Sequence, residues 1–180
     1  MAEAPLARQR GAARVEGKQF RSAMSQFLTG VAVVTVGDTD APRCITVNSL
    51  TSVSLDPPIL LVCFDRRSPS LAALLQRRSF GISILSEGQR HLADRFGSRE
   101  TVENPHAVEP EIRDELGGVP MLAGALAQIV CDIEQSLEAG SHTVIFGTPR
   151  TIAIHDASAQ ANALGYWRSG YVRLGDAIAR

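Results

Sequence analysis

The sequence is poor in the residues that build metal centres and disulfide frameworks. Its three cysteines, Cys44, Cys63 and Cys131, are an odd number, far apart, with no C-x-x-C pair among them. A structural zinc site or disulfide scaffold is therefore not expected, and the three are read as buried core thiols. The four histidines, His91, His106, His142 and His155, have no ligand spacing such as H-x-x-x-H, so no metal is expected. The formal net charge is -1, which speaks against a nucleic-acid surface, since that needs a basic excess gathered on one face. No apolar run approaches the roughly 18 residues of a membrane span. The opening MAEAPLARQRGAARVEGKQ has arginines and alanines but no apolar central stretch, so it is not a secretory signal. Residues 1–17 are read as a solvated arm and 18–176 as one domain of a cytoplasmic protein, large enough to bury a core unaided.

The familiar nucleotide and nucleophile motifs are missing as well. There is no G-x-G-x-x-G after a first strand, no G-x-x-x-x-G-K-[ST], and no G-x-S-x-G. A Rossmann site, a phosphate loop and a nucleophile elbow are all excluded. Any nucleotide bound here is held by another architecture.

What is present is a succession of short strand patterns. Phe20, Met24, Phe27 and Leu28 recur at helical spacing ahead of Gly30, which predicts one amphipathic helix over 18–29. The β-branched run 31–36, the apolar run 59–64 behind Pro57-Pro58, and the run 80–85 predict strands. From Ala127 to Glu138 apolar and polar residues alternate, the period of a strand with one face on a core. Residues 139–141 predict a turn, with strands at 144–146 and 151–154 after it. Near the end, Ser169-Gly170 predicts a two-residue hairpin turn between Tyr166-Trp167-Arg168 and Tyr171-Val172-Arg173. Short helices are predicted at 70–77 and 88–95, and a long surface excursion at 97–119. Many short strands with few helices predict a closed or nearly closed antiparallel barrel.

Two stretches are richer in polar groups than a core requires. In the first, 46–54, hydroxyls and the Asn48 amide recur along a strand. They suit either the polar edge of a heterocycle or phosphate, or simply an exposed Ser/Thr-rich face. In the second, Asp65-Arg66-Arg67-Ser68-Pro69-Ser70, a strand ends and a helix begins. Ser68 or Ser70 caps that helix, or its free N–H groups receive a phosphate.

In order along the chain, FRSAMSQFLTGVAVVTV, ITVNSLTSVSLDPPILLVCF, SPSLAALL, ADRFGS, GSHTVIFG and YWRSGYVRL resemble the flavin reductase-like family. That family has the FMN-binding split-barrel fold and includes the reductase partners of two-component flavin monooxygenases. The resemblance covers about residues 20–174. It implies a mainly β, antiparallel, Greek-key split barrel with a few short flanking helices. It also implies an NADH-dependent reductase that reduces FAD or FMN, with FAD favoured, and releases reduced flavin to a partner monooxygenase. By the same resemblance Ile45, Thr46, Asn48 and Ser49 line the flavin ring. Cys63, Phe64, Asp65, Pro69 and Ser70 follow the ribityl and phosphate, and Arg95 and Phe96 reach the phosphate or adenine side. His142 lies beside the nicotinamide and flavin as the candidate catalytic residue, and Tyr166, Trp167, Arg168 and Ser169 hold the pyridine nucleotide. A homodimer is implied. Cys44 stands where many members have glycine, and Arg66-Arg67 is more basic than the usual turn, which suits either an extra phosphate or solvent. Two other readings stand beside this one: a split-barrel oxidase with tightly bound FMN, and a flavin carrier or sensor without turnover.

Overall fold

The run at 31–36 is apolar at nearly every position because the strand it forms is covered on both faces. The structure, a computed structural model, describes residues 15–38, 42–97, 112, 114–155 and 162–174. Its elements in chain order are α1 (Gly17–Met24), β1 (Thr29–Gly30), β2 (Ala32–Val36), β3 (Arg43–Val47), β4 (Thr51–Leu55), β5 (Pro58–Asp65), α2 (Pro69–Arg77) and β6 (Ser79–Ile84). A 3₁₀ turn (Glu87–Gln89), α3 (Arg90–Gly97), β7 (Asp114–Leu116), β8 (Val119–Met121), β9 (Ala127–Ala139), β10 (His142–Ile154), β11 (Leu164–Trp167) and β12 (Gly170–Arg173) complete them. The class is the expected one, mainly antiparallel β with a few short helices.

Seven strands form one sheet in the order β3-β2-β6-β9-β10-β5-β4. Laid flat, the six gaps between them would set its edges about 29 Å apart at the usual strand spacing. Yet β3 and β4 occupy those two edges and are joined by residues 48–50 alone, a reach of at most about 14 Å from Val47 to Thr51. The sheet is therefore rolled until its edges meet at one corner. Inside the roll lie Val34, Val36, Val62, Phe64, Phe80, Ile82 and Ile145, capped by Leu71 and Leu74 of α2. Val31 and Val33 lie on the other face of β2 beneath Leu92, Ala93 and Phe96 of α3.

Several elements depart from the sequence expectations for physical reasons. The strands expected at 144–146 and 151–154 are one strand, β10, with irregularities at Phe146/Gly147 and Pro149/Thr151. Those breaks absorb the glycine and proline that punctuate its sequence. The turn between β9 and β10 is Gly140-Ser141, with Gly140 at φ 62, the first-position glycine of a type II′ turn. In the C-terminal hairpin the turn is Arg168-Ser169, at φ 48 and 64, and not Ser169-Gly170. Gly170 instead pairs with Trp167, giving the type I′ pattern of two positive φ values.

The helix expected over 18–29 ends at Met24. Gly30, read as its stop, pairs with Gly165 in β1. None of its residues is buried, and Phe20 and Phe27 are 61% and 65% exposed. The apolar stripe of the amphipathic helix is left exposed. The excursion at 97–119 falls largely outside the described residues, but its end is a hairpin of β7 and β8 turned by Gly117 and Gly118. Most of the arm, residues 1–14, also lies outside them.

Gly147 is required by packing. A Cβ there would lie 2.8 Å from Phe80 Cζ and 3.1 Å from Cys131 Cβ, and both residues are fully buried. Gly147→Ala is expected to lower the stability by about 1–3 kcal/mol, the usual range for overpacking. The measurement is the urea midpoint at unchanged m-value; an unchanged midpoint would show that the interior can give way.

Candidate active site

The hydroxyl-rich stretch does not form one strand. It is divided between β3 and β4, on opposite edges of the sheet, with Asn48, Ser49 and Leu50 as the corner. Two of its five hydroxyls, Thr46 and Ser49, are spent on the fold. Thr46 Oγ1 donates to the Ala93 carbonyl at 2.9 Å and fastens α3 over β3. Ser49 Oγ accepts the Cys63 N–H at 3.0 Å and donates to the Cys63 carbonyl at 3.4 Å. It thus extends the pairing of β5 beyond the last β4 partner, Thr51 opposite Leu61. A hydroxyl keeps a second lone pair for a ligand in such a position, but its proton is committed.

Around that corner the site residues fall into two linked groups. In the first, α3 brings Arg95 and Phe96 to the side of Thr46. The position of a Cβ on Gly97 is 3.7 Å from Thr46 Cβ and 3.8 Å from Tyr171 Oη. Arg95 is exposed, whereas Phe96 is buried among Val31, Val33 and Leu92, so its ring serves the core. Ile45 is half-buried against the interior cluster and Cys44 against the one under α3.

In the second group, β5 carries Cys63, Phe64 and Asp65 to the start of α2. Phe64 is 1% exposed, so it too offers a ligand its backbone only. Cys63 is half-buried, and burial pushes its thiol up against the lowering effect of the Ser49 hydrogen bond. Of the cysteines expected to be buried only Cys131 is, its pKa pushed up to about 12 by burial and then by Asp132.

His142 opens β10 directly across from Asp65 on β5. Its ring is exposed, and Ser141 Oγ lies 2.9 Å from Nδ1. Ser141 was not singled out in the sequence, although a hydroxyl immediately before a candidate histidine is a usable signal. The basic pair beside them is not free to take a phosphate. Asp65 accepts from the Arg67 backbone N–H, Nε and Nη2 at 2.9, 3.0 and 2.7 Å, and Arg66 pairs with Glu138 at 3.2 Å. The Arg67 hydrogen bonds hold the Asp65 carboxyl well below the usual carboxylate range, with the charge of His142 a smaller contribution. At the start of α2, Ser68 is the N-cap but makes no side-chain cap bond, Pro69 follows it, and Ser70 is buried. Pro69 has no N–H, and those of Ser68 and Leu71 donate to the Asp65 and Ser68 carbonyls at 2.8 and 3.1 Å, so of the first four only the Ser70 N–H remains for an anion.

The Tyr166–Ser169 segment joins the first group through Tyr171. The Tyr166 and Tyr171 rings meet edge-on at 5.5 Å, and Arg90 lies 5.8 Å over Tyr171. Trp167 and Arg168 turn toward α1, where Gln26 receives bonds from both. Gln26 carries no motif, and nothing in the sequence marked it. Among the described residues, no hydrogen bond or ring contact joins His142 to this segment, and no cluster of three or more His, Cys, Asp or Glu side chains is placed to hold a metal.

A rolled antiparallel sheet, a corner carrying the Asn48 amide, the Ser70 N–H at a helix start and an exposed histidine offer groups that suit a flat heterocycle bearing an anionic tail. Flavin fits that donor set. The chain belongs to the flavin reductase-like family: the Flavin reductase like domain matches residues 24–175. It is 38% identical to an NADH-dependent FAD reductase of Streptomyces globisporus, over 72% of this chain and 71% of that protein. It is 35% identical to a flavin reductase (NADH) of Kitasatospora aureofaciens, over 88% and 82%. It spans 48% of the length of a probable flavin reductase of Rhizobium meliloti. Among solved structures it matches BorF, the flavin reductase component of a bacterial two-component tryptophan halogenase. The TM-score is 0.81 at 36% identity, covering 90% of this chain and all of that one. The Streptomyces globisporus NADH:FAD oxidoreductase SgcE6 in complex with NAD and FAD fragments matches at TM-score 0.78 and 32% identity, covering 91% and 98%.

The Asp65–Arg67 bond has a pH signature. A carboxylate whose pKa is depressed on folding adds stability above its unfolded-state pKa and loses it as pH falls through the folded one. The stability difference between the wild type and Arg67→Ala is expected at neutral pH and should shrink as pH falls through the carboxylate range. In the variant the Asp65 carboxyl, followed by NMR, should titrate higher than in the wild type.

Proposed function

We propose that the protein is an NADH-dependent flavin reductase that reduces FAD, or FMN, and releases the product to a flavin-dependent monooxygenase. The observation that carries the reading is the meeting of three features at one sheet end: the 48–50 corner, the uncapped start of α2, and His142 opposite Asp65. The names of its relatives support it: NADH-dependent FAD reductase, and reductase subunit of a flavin-dependent monooxygenase in Mycobacterium tuberculosis. Bound flavin supplies the redox chemistry, accepting a hydride from NADH.

The chain's own residues bind and orient. Ile45, Thr46, Asn48 and Ser49 meet the ring, the two hydroxyls as acceptors, because their protons are already donated to Ala93 and Cys63. The backbone of Cys63 to Asp65 and the start of α2 with Pro69 and Ser70 take the ribityl chain and phosphate. Arg95 and the backbone of Phe96 reach the outer phosphate or adenine. Ser141 holds His142 by Nδ1, which leaves Nε2 to position the nicotinamide or move a proton, with Tyr166, Trp167, Arg168 and Ser169 holding the rest of that nucleotide.

The working unit is a homodimer. Phe20, Met24, Phe27, Ile152 and Ile154 are exposed, Ile154 by 81%, apolar side chains that a second copy would cover. Residues 18–176 form the reductase domain. The three cysteines form no disulfide, which suits the reducing cytoplasm, and no described helix is long and apolar enough to cross a membrane.

Purified protein is expected to oxidise NADH, followed at 340 nm, only when FAD or FMN is added. Turnover without added flavin would indicate a tightly bound cofactor, and none with either flavin would indicate a carrier or sensor. His142→Ala should lower kcat/KM at least about tenfold, about 1.4 kcal/mol of transition-state stabilisation; an unchanged value removes its role. Light scattering at micromolar concentration should give twice the chain mass, and a monomer mass would sink the dimer.

A further inference from the structure

The end of α1 and the C-terminal hairpin are fastened together at Ser25 and Gln26, and Gln26 supplies the side-chain contact. Trp167 Nε1 donates to the Gln26 carbonyl at 3.2 Å. Arg168 Nε and Nη2 both donate to Gln26 Oε1, at 3.1 and 3.0 Å. The Arg168 guanidinium also lies 4.2 Å over the Trp167 ring, and the Arg168 backbone N–H donates to the Ser25 carbonyl at 2.9 Å. A guanidinium has only donors, so the Gln26 amide must present its oxygen to it.

These contacts act on a turn that needs them. Arg168 and Ser169 are non-glycine residues at φ 48 and 64, a region L-residues seldom adopt. Their side chains are exposed, so no core packing fixes them. Because α1 buries no residue of its own, Gln26 is where that helix's end grips the hairpin.

We propose that Gln26 is a positioning residue: it fixes the Trp167–Arg168 pair in the geometry that receives the nicotinamide nucleotide. The inference rests on the reading that this turn holds that nucleotide. Without the amide oxygen the guanidinium loses the acceptor shared by Nε and Nη2, and its stacking over the indole loosens. His142 on β10 and the ring-binding residues of β3 and the 48–50 corner are untouched. Binding of NADH should weaken while the chemical step and the flavin affinity hold.

The test compares Gln26→Ala with Gln26→Glu, which keeps the acceptor. Gln26→Ala is expected to raise KM for NADH about three- to tenfold, the loss of one or two exposed charge-assisted bonds. Its kcat at saturating NADH and its KM for FAD should stay within about twofold, and Gln26→Glu should restore KM for NADH. Trp167 is the sole tryptophan, so acrylamide quenching of its fluorescence reports on the turn independently of turnover. Quenching should rise in Gln26→Ala and not in Gln26→Glu. Unchanged quenching in Gln26→Ala overturns the proposal, because the turn is then not held by Gln26. Raised quenching with unchanged KM for NADH also overturns it, and Arg168→Ala then locates the fault. If Arg168→Ala raises KM for NADH, only the role of Gln26 fails; if it does not, the turn itself has no part in nucleotide binding.

Discussion

The reach of three residues governs this structure. Asn48, Ser49 and Leu50 must join strands that the hydrogen-bond ladder places at opposite edges of a seven-stranded sheet. No flat or gently twisted sheet permits that, so the sheet rolls, and its inner face becomes an interior that Phe64, Phe80 and Ile145 fill. The corner so created is the one place where the edge carrying β3 and α3 comes near the edge carrying β5. The proposed flavin site sits there because the fold brings together at that point groups that sequence order alone would scatter.

That origin explains why the hydroxyls of the corner serve two purposes. Thr46 and Ser49 give their protons to Ala93 and Cys63, which fixes α3 to β3 and the corner to β5. A buried backbone group left unpaired costs about 1–3 kcal/mol, and in this structure the Ser49 hydroxyl bonds the Cys63 N–H and carbonyl beyond the end of the β4 ladder. Preorganisation follows: a ligand meets acceptors already held in place, and its binding need not also order the loop. The same economy removes Phe64 and Phe96 from direct contact, since both rings belong to the core.

How far the sequence discloses this depends on how local each cause is. The alternation of β9 and the unbroken apolar run of β2 are local, and both strands are legible. The family blocks carried the fold and the reductase reading. The roll was expected from the many short strands and from the family blocks, but its place was not, because nothing within the stretch 46–54 marks Asn48–Leu50 as a corner. The two halves of β10 looked separate because Gly147 and Pro149 resemble breakers, and only the packing of Phe80 shows why a glycine must stand there. The stripe on α1 was legible as an apolar face but its exposure was not, since helical periodicity does not identify the surface such a face will meet. The Arg168-Ser169 turn was misplaced by one residue because glycine is the usual occupant of positive φ. Gln26 meets Arg168 across 142 residues of sequence, a distance over which no pattern operates.

The balance of charge at the start of α2 bears on what kind of flavin protein this is. Two arginines stand beside the proposed phosphate position, and each is engaged by a carboxylate, Arg67 by Asp65 and Arg66 by Glu138. A phosphate there is met by the Ser70 N–H at the start of a nine-residue helix, whose terminus contributes typically 0.3–1 kcal/mol toward an anion, and not by a bidentate guanidinium. To recruit Arg67, the ligand would have to displace three hydrogen bonds from a carboxylate that binds its proton weakly. An enzyme that keeps its flavin gains from strong phosphate anchors; one that passes reduced flavin to a separate oxygenase is slowed by them. Neutralised arginines beside an uncapped helix suit the second case, in which the flavin arrives and leaves as a substrate.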